Sequence, residues 1–117
     1  MKKIIIADDV SENRAVLQAF FEGRGYETVL AESGERAIHE LVAHPDTTAL
    51  ITDYRMPRMN GIEVVRLASS MDPKLFIVLA SGDIRDFEER EAREAGAKEV
   101  LGKPYDLKRL KELFPPA

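Results

Sequence analysis

Short apolar, β-branched runs recur along the chain at nearly even spacing: Lys3–Ala7, Thr28–Ala31, Ala49–Thr52, Leu75–Ala80 and Glu99–Leu101. The first and fourth are apolar without strict alternation, which is the pattern of strands covered on both faces. Helical periodicity fills the segments between them. Ser11–Gly23 sets Ala15, Val16, Ala19, Phe20 and Phe21 on one broad stripe. Ser33 is placed to cap a second helix whose Ala37, Ile38, Leu41 and Val42 face inward before His44-Pro45 ends it. Ile62, Val65, Ala68 and Ser69 mark a third, closed ahead of Asp72-Pro73. A charge-rich fourth spans Asp83–Ala95 and stops at Gly96, a residue suited to a left-handed helix end. Leu107, Leu110 and Phe114 define the fifth, ended by Pro115-Pro116.

The order is therefore strand then helix, five times over. Such alternation, with strands buried on both faces, implies an α/β fold: a parallel sheet between two helix layers, joined by right-handed crossovers. With 117 residues and no internal linker or shift in composition, residues 1–117 read as a single domain. Hydrophobic residues at 44% and charged residues at 32% are an ordinary globular mixture, so disorder is excluded as the whole answer. The net charge of −4 argues against direct nucleic-acid binding. No apolar run approaches the roughly 20 residues that span a bilayer, so no membrane association is expected. The N-terminal apolar stretch is too short for a signal peptide. The absence of cysteine removes thiolate metal sites and nucleophiles. A soluble, cytoplasmic domain is the expectation.

In open α/β sheets, ligands bind outside the carboxyl ends of the strands. Asp8 and Asp9 follow the first run, Asp53 the third, Ser81 the fourth, and Lys103-Pro104 the fifth. Three acids, a hydroxyl and an ammonium group thus converge on one edge. Two carboxylates ~4 Å apart repel by ~4 kcal/mol at an effective dielectric near 20. The cluster therefore needs a counter-charge or shifted pKa values. A hard divalent ion with oxygen ligands supplies the first, and Mg²⁺ fits because it takes a few carboxylates and keeps waters. Metal, ammonium and hydroxyl together are the parts that hold a phosphoryl group's oxygens. A carboxylate among them can act as nucleophile and become an acyl phosphate. Asp53 stands alone at its strand end and suits that role, while the Asp8-Asp9 pair suits the metal. His39 and His44 lack ligand spacing and are assigned no function, and Met56 and Met59 are read as loop packing.

These residues resemble the receiver domain of two-component response regulators, a flavodoxin-like (βα)5 family that includes chemotaxis regulators. The resemblance runs from Lys3 to Phe114. It rests on Asp8-Asp9, on the segment Asp53-Tyr54-Arg55-Met56-Pro57-Arg58-Met59-Asn60-Gly61, on Ser81-Gly82, and on Gly96-Ala97 followed by Lys103-Pro104. It implies a five-stranded doubly wound sheet of strand order 2-1-3-4-5. It implies a phosphoprotein in a phosphorelay, with Asp53 accepting a phosphoryl group from a histidine kinase, a phosphotransfer protein or a small acyl phosphate. Asp9, Asp53 and the Arg55 backbone carbonyl would ligate Mg²⁺, with Asp8 contributing through water. Ser81 and Lys103 would each hold a phosphoryl oxygen, and the Lys103-Pro104 peptide bond would be cis. The implied chemistry is confined to the chain's own phosphorylation and dephosphorylation, so the chain is not expected to be an enzyme in the ordinary sense.

The family usually carries Tyr or Phe three residues before the lysine, where this chain has Val100, so the usual inward swing of an aromatic ring is not available. Gly102 just before Lys103 should make that strand end pliant. Arg55 and Asp83, on loops that must face each other, are expected to pair across the pocket mouth and shield the acyl phosphate. The expected readout face is the fourth helix, fifth strand and fifth helix. It is acidic at Glu88, Glu89, Glu91 and Glu94 and basic at Lys108, Arg109 and Lys111, a distribution suited to a homodimer or to a downstream protein. The chain ends just after the fifth helix, so it is expected to act through another protein, as a stand-alone receiver or as part of a longer regulator. The alternative to a phosphorylated switch is a receiver-like interaction module that works without phosphorylation. A phosphatase with an aspartyl nucleophile would carry a second acid where Arg55 stands, and a flavin carrier would need a phosphate loop where Asp8-Asp9 would repel it.

Overall fold

The computed structural model describes residues 2–117. Five strands alternate with five helices: β1 Lys3–Ala7, α1 Ser11–Glu22, β2 Glu27–Ala31, α2 Gly34–Ala43, β3 Ala49–Asp53, α3 Gly61–Met71, β4 Phe76–Ser81, α4 Asp86–Ala95, β5 Glu99–Gly102 and α5 Leu107–Leu113. All strand pairs are parallel, and the order across the sheet is β2-β1-β3-β4-β5. This is the parallel α/β arrangement that the alternation implied, in the flavodoxin-like strand order that the family resemblance implied.

The period of two along each strand divides the core into two layers. Ile5, Ala7, Leu50, Ile77 and Leu79 face one way and pack with Ala37, Leu41, Val64, Val65, Ala68 and Ala92 from α2, α3 and α4. Ile4, Ile6, Ala49, Ile51 and Val78 face the other way, onto Leu17, Phe21, Leu110 and Phe114 from α1 and α5. Phe21, Tyr26, Phe76 and Phe114 meet edge-to-face in this second layer, with ring centroids 4.8 to 6.3 Å apart. Both faces of the sheet are therefore covered, as the unbroken apolar runs required.

The helices differ from expectation in which side chains they bury. On α1 the buried pair is Leu17 and Phe21, while Ala15, Val16 and Ala19 lie outside. One helical turn separates Leu17 from Phe21, so the large side chains and not the small ones select the inward face. On α2, Ala37 and Leu41 are buried but Val42 is 68% exposed. Val42 lies about 100° further round the helix than Leu41. On α5, Leu110 and Phe114 are buried and Leu107 is exposed. The fourth helix begins at Asp86 and not at Asp83. Asp83 is engaged outside the helix, and Glu88 reaches back to accept from the Arg85 backbone N–H at 3.0 Å, which sets the helix start.

The end of β3 is joined to α3 by the loop from Tyr54 to Asn60. Asn60 accepts from the Glu63 N–H at 3.0 Å, and the Glu63 carboxylate accepts from the Asn60 N–H at 3.1 Å, a reciprocal capping box. Met56 is buried and Met59 packs against the core, so both hold the loop down. Gly61 donates to the Tyr54 carbonyl at 2.8 Å. A Cβ there would overlap the Asp53 carbonyl oxygen and stand 2.6 Å from Leu79 Cδ1 and 2.8 Å from Tyr54 Cα. Glycine is needed at this position because backbone meets backbone. Gly61→Ala is expected to lower stability by roughly 1–3 kcal/mol, the scale of an overpacked core, read as a lower urea midpoint.

Candidate phosphoacceptor and metal site

Because every strand is parallel, all five carboxyl ends lie on one edge of the sheet. β1 delivers Asp8 and Asp9, and β3 delivers Asp53, to adjacent positions there. One carboxylate oxygen from each of the three acids can be chosen so that all lie within 4.8 Å of one another. Lys103 reaches the cup from the end of β5, through a cis Lys103-Pro104 peptide bond. Its Nζ lies 3.0 Å from Asp8 Oδ2 and 3.1 Å from Asp53 Oδ1. The lysine backbone N–H donates to the Ser81 carbonyl at 3.0 Å, which ties this strand end to β4.

The three acids are not equivalent. Asp8 is almost fully buried, with Oδ1 accepting from the Val10 N–H at 2.9 Å and Oδ2 taken by Lys103. The Arg14 guanidinium donates to the Asp8 carbonyl at 2.6 Å and holds the β1–α1 turn. Asp9 is exposed. Asp53 is half-buried, and its Oδ1 accepts from the Tyr54 N–H at 2.9 Å besides the lysine. Asp53 Oδ2 accepts from no protein group among the described residues. The Arg55 backbone carbonyl likewise accepts no hydrogen bond from the described residues. The arrangement thus leaves oxygens of Asp9 and Asp53 open, while both oxygens of Asp8 are engaged.

Charge explains why these groups tolerate each other. One ammonium among three carboxylates leaves two negative charges unbalanced, the charge of one divalent cation. An all-oxygen donor set of this kind suits a hard ion such as Mg²⁺. Burial pushes the Asp53 carboxyl above its ordinary value, and Asp8 adds to the rise, against Lys103 and the Tyr54 N–H. Burial alone would lower the Lys103 ammonium, but Asp8 and Asp53 together outweigh it and hold the group firmly charged.

Ser81 is buried at the neighbouring strand end, and its hydroxyl donates to Asp83 Oδ1 at 3.1 Å. The Asp83 N–H returns a bond to Ser81 Oγ at 3.3 Å. Arg55 Nε lies 3.4 Å from Asp83 Oδ1, the pairing expected across the mouth. Its guanidinium also covers the Tyr54 ring at 4.6 Å from the centroid and stands 3.8 Å from Glu88 Oε2.

Glu88 is a correction. The charge pattern puts this residue on the expected readout face with Glu89, Glu91 and Glu94, yet it is only 4% exposed. Its Oε2 accepts from the Tyr54 hydroxyl at 2.6 Å. That bond, with the Arg85 N–H and guanidinium, holds the carboxyl down at about 2. The acidic side of the supposed readout face therefore loses Glu88. The pattern held a signal for this: Ile84, Glu88 and Ala92 share one helical register, so the acid stands between two inward-facing apolar residues.

Comparisons with known proteins bear on the family and the fold. The family model for the response regulator receiver domain matches residues 4–114. The chain is 34% identical over 113 residues to the chemotaxis protein CheY1 of Helicobacter pylori, covering 94% of this chain and 91% of that one. It is 33% identical over 110 residues to the response regulator receiver protein CpdR of Brucella abortus, with the same coverage of 94% and 91%. A response regulator receiver protein from Pseudomonas putida superposes with a TM-score of 0.89 at 30% identity, over 96% of this chain and 93% of that one. Vibrio cholerae CheY4 shares the fold, with a TM-score of 0.88 at 24% identity over 97% and 99% of the two chains. No helix among the described residues is long and apolar enough to cross a membrane.

A carboxyl whose value is higher in the folded state favours folding when protonated. That contribution is complete below the ordinary aspartate value near 3.8 and is lost as pH rises through the higher folded value. At neutral pH and without divalent metal, ionised Asp53 therefore weakens the fold. Asp53→Asn is expected to raise Tm by a few degrees in magnesium-free buffer at pH 7, at about 4 °C per kcal/mol. The gain should vanish near pH 3, where the native carboxyl is also neutral.

Proposed function

The chain belongs to the response-regulator receiver family, and we propose that it is a phosphorylation-operated signalling domain whose acceptor is Asp53. The observation that carries this reading is the cup itself: Asp8, Asp9, Asp53 and Lys103 gathered at one sheet edge with two negative charges unbalanced. The donor is a phosphohistidine on a histidine kinase or phosphotransfer protein, and the receiver of the signal is a downstream protein. Such a phosphorelay component is cytoplasmic. The chain acts on its own side chain and turns over no separate substrate.

Asp53 Oδ2 is the oxygen free to attack phosphorus. A P–O bond forms as the donor's P–N bond breaks, and the electron pair leaves with the imidazole nitrogen. Lys103, already between Asp8 and Asp53, meets one of the transferring oxygens. Ser81 meets another once its hydroxyl turns away from Asp83. Asp9, Asp53 and the Arg55 carbonyl would hold Mg²⁺, with Asp8 behind them because its own oxygens are engaged. The ion would supply Lewis-acid neutralisation of charge as it builds on the phosphoryl oxygens. Attack of water on the acyl phosphate later releases inorganic phosphate and restores the carboxylate. The Arg55–Asp83 pair stands at the mouth and limits that approach.

Intact mass after incubation with acetyl phosphate and magnesium should show the gain of one phosphoryl group in the native chain and none in Asp53→Asn. No gain in the native chain would favour an interaction module that works unphosphorylated. Arg55→Ala should shorten the lifetime of the phosphorylated form by about two- to fivefold, the scale of an exposed ion pair, measured by loss of that mass with time. An unchanged lifetime would remove the shielding role.

A further inference from the structure

The acceptor chemistry uses Asp53, Ser81 and Lys103 and leaves Glu88 unexplained. A carboxylate at an inward position of a helix must be compensated, because burying an unpaired charge is strongly unfavourable. Glu88 is compensated from two directions. Oε1 accepts from the backbone N–H and the guanidinium of Arg85, at 3.0 and 3.3 Å, at the start of α4. Oε2 accepts from the Tyr54 hydroxyl at 2.6 Å and faces Arg55 Nη2 at 3.8 Å. Tyr54 and Arg55 are the two residues directly after the acceptor. One carboxylate thus joins the acceptor loop to the first turn of α4.

The chain of contacts continues to the pocket. Arg55 is shared between Glu88, the Tyr54 ring and Asp83, and Asp83 holds the Ser81 hydroxyl. Val100 on β5 packs against the same core layer and offers no polar atom. The polar link between the acceptor loop and α4 therefore runs through Glu88. A phosphoryl group brings about −1.5 to −2 charge and three strong acceptor oxygens. It competes with Asp83 for the Ser81 hydroxyl, and with Glu88 for the Arg55 guanidinium, which keeps its pairing with Asp83 at the mouth.

We propose that Glu88, through Tyr54 and Arg55, is the link by which the charge on the Asp53 pocket sets how firmly the first turn of α4 is held. With the pocket unmodified, the link holds α4 against the acceptor loop. Phosphorylation withdraws Arg55 and Ser81 from it, and the first turn of α4 loosens. This rests on Asp53 being the acceptor, and the experiment reads that step separately.

Amide hydrogen exchange over residues 83–95 tests it in the native chain and in Tyr54→Phe, each with and without acetyl phosphate and magnesium, with intact mass recording modification. Native α4 should exchange about two- to fivefold faster once the mass gain is seen, the worth of an ion pair such as Arg55–Glu88. Unmodified Tyr54→Phe should already exchange faster than the native chain, and because Arg55 still faces Glu88 it should speed up further on the same mass gain. The double variant Tyr54→Phe, Glu88→Leu removes both contacts of the link and leaves no stranded charge, so it should exchange fast and change no further. Native exchange rates in unmodified Tyr54→Phe would overturn the proposal. So would a native-sized response of the double variant to phosphorylation. A missing mass gain in the native chain would instead sink the acceptor assignment, and the proposal with it.

Discussion

The Lys103 ammonium, 3.0 Å from Asp8 and 3.1 Å from Asp53, is the contact on which the site depends. It joins the ends of three strands that are distant in the chain, since Lys103 and Asp8 are 95 residues apart. Parallel pairing makes this meeting possible, because it brings every carboxyl end to the same edge. Without a cation the cup would hold mutually repelling carboxylates at the close of β1 and β3. With one ammonium the repulsion is reduced but not cancelled. The residual negative charge is what makes the cup suited to a divalent ion and a reactive carboxylate.

Asp53 and Glu88 show how the same functional group takes opposite characters in one small fold. Asp53 is drawn upward by burial and by Asp8, with a single backbone N–H and a shared ammonium against them. Glu88 is more deeply buried, yet it is held at about 2 because a phenol, a backbone N–H and the Arg85 guanidinium donate to it. The difference lies in the count and placement of donors and not in depth. Asp53 is left with an oxygen free for chemistry. Glu88 has both oxygens engaged and serves as an anchor. Tyr54, directly after Asp53 in the chain, donates its backbone N–H to one and its side-chain hydroxyl to the other.

Much of the architecture was legible in the order of residues. The five apolar runs fall within a residue of the observed strands, because an unbroken β-branched run between turn residues is a local signal. The strand-end residues Asp8, Asp9, Asp53, Ser81 and Lys103 followed from that order alone, since a parallel sheet leaves its strand ends no other place. Helix faces were read less well. Val16, Val42 and Leu107 fit an apolar stripe by spacing, yet they are exposed, because Phe21, Leu41 and Leu110 dictate the rotation of each helix. The fourth helix starts later than its charge pattern suggested, because Asp83 serves Ser81 and Arg55 instead of the helix.

Sequence alone thus determined the succession of elements and the composition of the acidic cup, since both arise from short-range patterns and a topological rule. The spacing of Ile84, Glu88 and Ala92 marks Glu88 as the inward position, but only the tertiary structure decided that a charge is held there. Glu88 is tolerable there because Tyr54, 34 residues earlier in the chain, presents a hydroxyl to it. Burial of a charge depends on donors arriving from other elements, and nothing in the local pattern around an acid records whether they will.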